Sequence, residues 1–200
     1  MNRTVSLAVS TVFHPVFVNL MGLLLLIFLS PYLSLGLTPN AQLFYVLFIF
    51  ISAGIIPMLV VLGMKLFGKV QSILLNVQDE RNIPYLVTAS LYLFDFYLLA
   101  RLHAPAMIRA YVLACACIVV AVVIINHFYK ISIHGASLGA LTAIVITGAK
   151  LSAMDIRYAL IAVLVVSGLT LSARLFLYAH TISQVLMGWL LGFAIMYLIL

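Results

Sequence analysis

Arg174 and His180 lie at the boundary between two long apolar segments, with five residues between them. Lys130 and His134 occupy an earlier boundary of the same kind. Charged groups beside lipid are costly, so in a chain with few of them their default reading is a functional site. Two cation–imidazole pairs suit phosphoryl transfer. That reaction needs cations on the phosphate oxygens, a nucleophile in line, and an acid for the leaving oxygen. Arginine fits the first need because its planar fork matches phosphate oxygens. Histidine fits the other two because it titrates near neutrality. On this reading Arg174, Lys130 and Arg81 form a cation cradle, while His180 and His134 divide the nucleophile and acid roles. The reaction requires no metal and no other cofactor. A zinc site is disfavoured, since no two histidines stand four apart and no cysteine lies near them.

The elements that must position these residues are membrane helices. Of 200 residues, 66% are hydrophobic and 7% charged, whereas a water-soluble domain carries about 25% charged residues. Such a chain cannot cover a soluble surface, so the bilayer is its solvent. The expected fold is all-α, one polytopic transmembrane helical bundle of six or seven spans, with residues 1–200 forming a single domain. Seven segments approach the roughly 20 apolar residues that a spanning helix needs: Val16–Leu35, Leu43–Leu62, Pro84–Ala100, Met107–Asn126, Leu138–Gly148, Tyr158–Ser172 and Thr181–Leu200. The first carries Pro15 at its start and Pro31 near its end, so residues 1–37 form either an extra N-terminal span or a tilted, peripheral helix. The N-terminal apolar run has no convincing cleavage site after it and is read as a retained helix. The fifth segment is short and extends back toward His134. The polar stretch Gln71–Asn82 reads as a short helix at the interface.

The order of the spans brings the chemistry together. The loops after the second, fourth and sixth segments hold Asp79-Glu80-Arg81, then Lys130 and His134, then Arg174 and His180. All three open on one membrane face, and alternate loops converging at a bundle mouth make a single site. Arg101, Arg109, Lys150 and Arg157 belong to the other face. Basic residues divide six to four between the faces, or three to four once the candidate site residues are set aside. The positive-inside rule therefore assigns no orientation. The net charge of +6 is scattered through short loops. It favours membrane lipids with anionic headgroups and phosphate-bearing substrates over nucleic acid. Cys115 and Cys117, two apart on one segment, point in different directions and do not pair. His14, His103 and His127 read as interfacial histidines, and Asp95, eleven residues into its segment, as a carboxyl too deep to serve the site. Oligomeric state stays open.

Within residues 130–200 the pattern resembles the membrane lipid phosphatase branch of the type 2 phosphatidic acid phosphatase and vanadium haloperoxidase superfamily. The third motif of that family reads SRxxxxxHxxxD. Here Arg174 and His180 keep its spacing, with Thr181, Val185, Gly188 and Gly192 following in family-like positions. The second motif reads PSGH, and the chain offers Ile131-Ser132-Ile133-His134. The resemblance implies that His180 is a nucleophile forming a phosphohistidine, that His134 is the acid, and that Arg174 and Ser132 belong to the phosphate site. Its expected substrate is a lipid phosphate monoester or pyrophosphate, and its expected setting a bacterial inner membrane. The chain departs from the pattern at Ala173, where the family has serine, and at Gln184, where it has aspartate. The first motif, KxxxxxxRP, is absent. Lys150 and Arg157 have its spacing but fall on the wrong face, so Arg81 and Lys130 are taken as substitutes. The Gln184 carbonyl can still accept the imidazole N–H and fix its tautomer, without supplying charge. The alternative reading is a relative without turnover that binds an anionic lipid or a membrane partner. A small transporter using Asp95 is the third, and no broken-helix pair in the sequence favours it.

His180, Gln184, Gly188 and Gly192 recur every four residues and share one helix face. The two glycines permit close packing below the polar end, so that face points into the bundle.

Overall fold

The computed structural model describes residues 2–71, 78–152 and 155–200. Among these, the regular elements are all helical: α1 Arg3–Val12, α2 Pro15–Leu29, α3 Pro31–Gly36, α4 Pro39–Phe50, α5 Ile56–Leu66, α6 Asn82–Arg101, α7 Ala106–Phe128, α8 Ile133–Ser152, α9 Arg157–Phe176 and α10 Ile182–Ile199. Six helices are long and apolar enough to cross a membrane, the first being α4 and α5 joined as Pro39–Leu66. The pair α1 and α2, bent by 45° at its break, makes up to a seventh. Large apolar side chains such as Phe44, Leu59 and Leu190 stand exposed around the bundle, as lipid-facing positions do. The chain is a multi-pass membrane protein with an all-α fold.

Proline decides where the N-terminal region breaks. Pro15, Pro31 and Pro39 each occupy the first turn of a helix, behind His14, Ser30 and Thr38 as N-caps. Proline is tolerated there because the N–H it lacks has no intrahelical partner anyway. The expected segment Val16–Leu35 is therefore interrupted. α2 ends at Leu29, and Ser30 caps the separate short helix α3. Pro57 acts differently. It lies inside the long first span, where its ring would press on a carbonyl of the preceding turn. The π-helical turn Ile51–Ile55 directly before it widens the backbone and accommodates the misfit.

α8 is the most enclosed span and packs against α2, α9 and α10. Its small residues make this possible. A side chain added at Gly135 or Gly139 would run into the α10 backbone near Val185 and Trp189. One added at Gly188 or Gly192 would run into the α8 backbone at Ser132 and Ala136. Two glycine pairs, each spaced by four, thus let α8 and α10 lie backbone to backbone. Their N-terminal ends, carrying His134 and His180, meet as a result. The helix begins at Ile133, in keeping with the expected extension toward His134.

A polar clamp fixes the start of α6. The Asn126 amide donates to the Gln78 carbonyl at 3.2 Å and the Asn82 side chain at 3.1 Å. Gln78 returns a bond of 2.5 Å to the Asn126 carbonyl. The end of α7 therefore holds the one-turn helix Asp79–Arg81 and places Arg81 at the bundle mouth. Half of the expected interfacial helix over Gln71–Asn82 lies outside the described residues. Asp95 is wholly buried and accepts from the Ser52 hydroxyl at 2.5 Å. That pairing ties it to the π turn, and it is not among the residues lining the cavity described below.

Candidate active site

The mouth formed by α1, α2, α6, α8, α9 and the α9–α10 turn opens into a cavity of about 400 Å³. Four of the expected site residues line it: Arg81, His134, Arg174 and His180. All four are at least nine-tenths buried. The rest of the wall is mainly apolar, with Ile118, Leu141, Ile144 and Met196 along the shaft, interrupted by Asn19 and the Tyr92 and Tyr111 hydroxyls bonded to it. A charged mouth above an apolar shaft is the shape a headgroup with an attached hydrocarbon chain requires.

His180 is held by the turn between α9 and α10. Arg174 lies in the last turn of α9, where a cation complements the helix dipole, and its carbonyl accepts the Ala179 N–H at 3.1 Å. Tyr178 takes a left-handed conformation (φ 52°) to reverse the chain. Such conformations are uncommon outside glycine, and strained residues concentrate at functional sites. Thr181 then caps α10, and Gln184 completes a reciprocal capping box. One atom of the Gln184 amide faces both the Thr181 N–H at 3.1 Å and the His180 Nδ1 at 3.2 Å. A backbone N–H must donate, so that atom is the oxygen, and Nδ1 carries the imidazole proton. Nε2 of His180 keeps its lone pair. This is the tautomer of a nitrogen nucleophile.

Electrostatics keep the ring neutral. Burial first, then the positive charges of Arg81 and Arg174, lower the His180 pKa to about 4, against an opposing contribution from Gln184. Burial, followed by Arg81 and Arg174, also lowers the pKa of Lys130. A depressed histidine pKa has a definite sign in linkage. Between about pH 6.5 and 4 the unfolded chain binds a proton that the folded chain refuses, so this group's contribution weakens stability as pH falls through that window.

His134 points its Nε2 at the Ser10 carbonyl, 3.3 Å away in α1. A carbonyl only accepts, so Nε2 bears the proton. Arg174 has no ion-pair partner among the described residues, and its buried Nε makes no hydrogen bond to them. An enclosed guanidinium without a counter-charge is costly. An anion in the cavity would compensate it.

The remaining expected residues stand further back. Ser132 is fully buried, and its hydroxyl accepts the Gly135 N–H at 3.2 Å at the start of α8. Its backbone N–H donates to the Gln184 carbonyl at 3.3 Å, which joins the two helix starts. Lys130 is half-buried beside the cavity and near enough for its charge to act on His180. Gln184 supports His180 from behind. Lys150, in the last turn of α8, and Arg157, at the start of α9, fall at the opposite end of the bundle. Lys150 donates to the Tyr197 hydroxyl at 2.5 Å, and Arg157 pairs with Asp155 at 2.7 Å.

His14 lines the same cavity, although its sequence position reads as interfacial. It lies 120 positions before His134, so no local spacing announces it. Its place directly before Pro15, at a helix start, is the only sequence signal it gives.

Comparison with protein-family models, with curated proteins and with solved structures finds no match to this chain.

Proposed function

We propose that this membrane protein is a metal-independent lipid phosphatase, a divergent relative of the type 2 phosphatidic acid phosphatases. It would hydrolyse a lipid phosphate monoester or pyrophosphate through a phosphohistidine. The observation that carries the reading is the buried Arg174 guanidinium, without an ion-pair partner among the described residues, sharing one cavity with His180, His134 and Arg81. Phosphate oxygens meet the guanidinium groups, with Lys130 adding long-range charge. The lipid chain follows the apolar shaft. Nε2 of His180 attacks phosphorus, the bond to the leaving oxygen breaks, and that oxygen takes the Nε2 proton of His134 in its doubly protonated form, which leaves a neutral imidazole. Water then hydrolyses the phosphohistidine, with His134 accepting its proton. Because the Ser10 carbonyl occupies the N–H of His134, a leaving oxygen must displace it, and α1 yields as the substrate enters.

Gln184 favours a second reading, a binder without turnover, because it orients His180 without stabilising the imidazolium. Phosphate release from a panel of lipid phosphates separates the two. The phosphatase reading expects release from at least one lipid, blocked by orthovanadate. Absence of release across a broad panel, with lipid still retained, establishes the binder.

Gln184→Glu probes the same point. Glutamate keeps the length needed for the capping box, and a carboxylate is favourable at a helix N-terminus. It also adds the missing charge. In a serine-protease triad, removal of the comparable charge costs about four orders of magnitude. The variant is expected to raise kcat by about tenfold or more. The acidic limb of kcat/KM, expected near pH 4 from His180, should move upward, because a carboxylate favours the protonated ring. A pH–rate profile of both proteins checks the rate and the direction together.

A further inference from the structure

The N-terminal helices bring a third imidazole to the site. His14 caps α2 through its ring: Nδ1 accepts the Val16 N–H at 3.4 Å. Pro15 has no N–H, so Val16 is the first donor available. An accepting Nδ1 places the ring proton on Nε2. Among the described residues the ring's one hydrogen bond is that from Val16. The ring stands edge-on to His134, with centroids 5.7 Å apart and planes at 85°. It lines the cavity alongside Arg174 and His180. The bend between α1 and α2 fixes it there, since the same turn delivers the Ser10 carbonyl to His134.

We propose that His14 is an anion-binding residue of this cavity, donating its Nε2–H to an oxygen of the phosphate group held by Arg174. The proposal rests on the phosphate-site reading above and extends it to a residue contributed by the N-terminal helices. It supplies a neutral donor where the chain lacks the lysine of the family's first motif. It also makes the α1–α2 bend part of the site, so a phosphate bound there ties the N-terminal helices to α8 and α9.

The two ring nitrogens can be tested separately. Asparagine in place of histidine retains an oxygen near Nδ1 for the helix cap but does not reach the Nε2 position. Phenylalanine retains the ring packing and loses both nitrogens. Glutamine reaches the Nε2 position with an N–H donor. Orthovanadate, a tetrahedral oxyanion, is titrated calorimetrically into the full-length protein in detergent. His14→Asn and His14→Phe are expected to bind it about tenfold more weakly or worse, in line with a hydrogen bond to a charged group. His14→Gln is expected to stay within about threefold of the parent. Thermal unfolding of each variant identifies any that has lost its fold. Parent-like binding by His14→Asn overturns the proposal while leaving the phosphate site standing. So does parent-like binding by His14→Phe, which would make the ring a packing element, and so does binding by His14→Gln as weak as that of His14→Asn, which would show that a donor at the Nε2 position does not hold the anion. A parent protein that binds no vanadate overturns both readings.

Discussion

His180→Ala is expected to abolish phosphate release, with turnover falling by about four orders of magnitude or more. Removing the attacking group of a covalent hydrolase has effects of that size, because the remaining groups bind the substrate without providing a path for it. The substitution is structurally mild. His180 precedes the capping residue Thr181, and the reciprocal Thr181–Gln184 bonds do not involve the imidazole. Arg81, Arg174 and His134 remain around the cavity, so substrate affinity should change far less than turnover. Acid-labile labelling from a lipid carrying radioactive phosphate gives a second readout: the parent protein should trap a phosphohistidine and the variant none. Equal release from both proteins would mean that the chemistry occurs elsewhere. Labelling that persists in His180→Ala would name another histidine as the nucleophile.

What could be read in the sequence and what could not differ in range. The convergence of Arg81, His134, Arg174 and His180 follows from counting spans, because alternate loops of a bundle must share a face. Their common cavity agrees with that count. The Arg174–His180 spacing is local, and so is the orienting contact from Gln184 one helical turn later. The roles of Ser132 and Gly135 in joining α8 to α10 are not local. They depend on which face of α8 turns toward α10, and an apolar, small-residue helix such as α8 carries little amphipathic pattern to reveal it. His14 and the Asn126–Gln78 clamp were illegible for the same reason. Each acts on a partner at least 48 positions away, and each looks alone like an ordinary interfacial polar residue. The break at Ser30-Pro31 was signalled by its proline, yet composition alone did not rank it above the apolar run around it. In a chain where nearly every segment is hydrophobic, periodicity says little, and the punctuation by proline and glycine carries most of the structural information.

That weight on glycine leads to the largest stability effect expected, at Gly192. A methyl group there would overlap the Ala136 carbonyl of α8. The obstacle is backbone in the most enclosed span, with no flexible side chain to swing aside. Gly139 presents the mirror situation against the Trp189 carbonyl. Overpacking in a well-ordered core costs about 1–3 kcal/mol, occasionally more, and a clash with helix backbone belongs at or above the top of that range. Gly192→Ala should therefore lower the thermal midpoint sharply in detergent, and Gly192→Leu should prevent accumulation of folded protein. Gly168, on the neighbouring helix α9 with open space around it, provides the control. Gly168→Ala should leave stability unchanged or raise it, since alanine is the better helix former by about 1 kcal/mol. The effect should also reach the site. Forcing α8 and α10 apart loosens the Ser132–Gln184 backbone bond and separates the helix starts that carry His134 and His180. Folded Gly192→Ala should then lose phosphate release out of proportion to its loss of vanadate binding, because attack by one imidazole with protonation by the other tolerates less displacement than attraction to a guanidinium. Parent-like stability in Gly192→Ala would show that the two helices do not pack backbone to backbone, and the meeting of His134 with His180 would lose its structural cause.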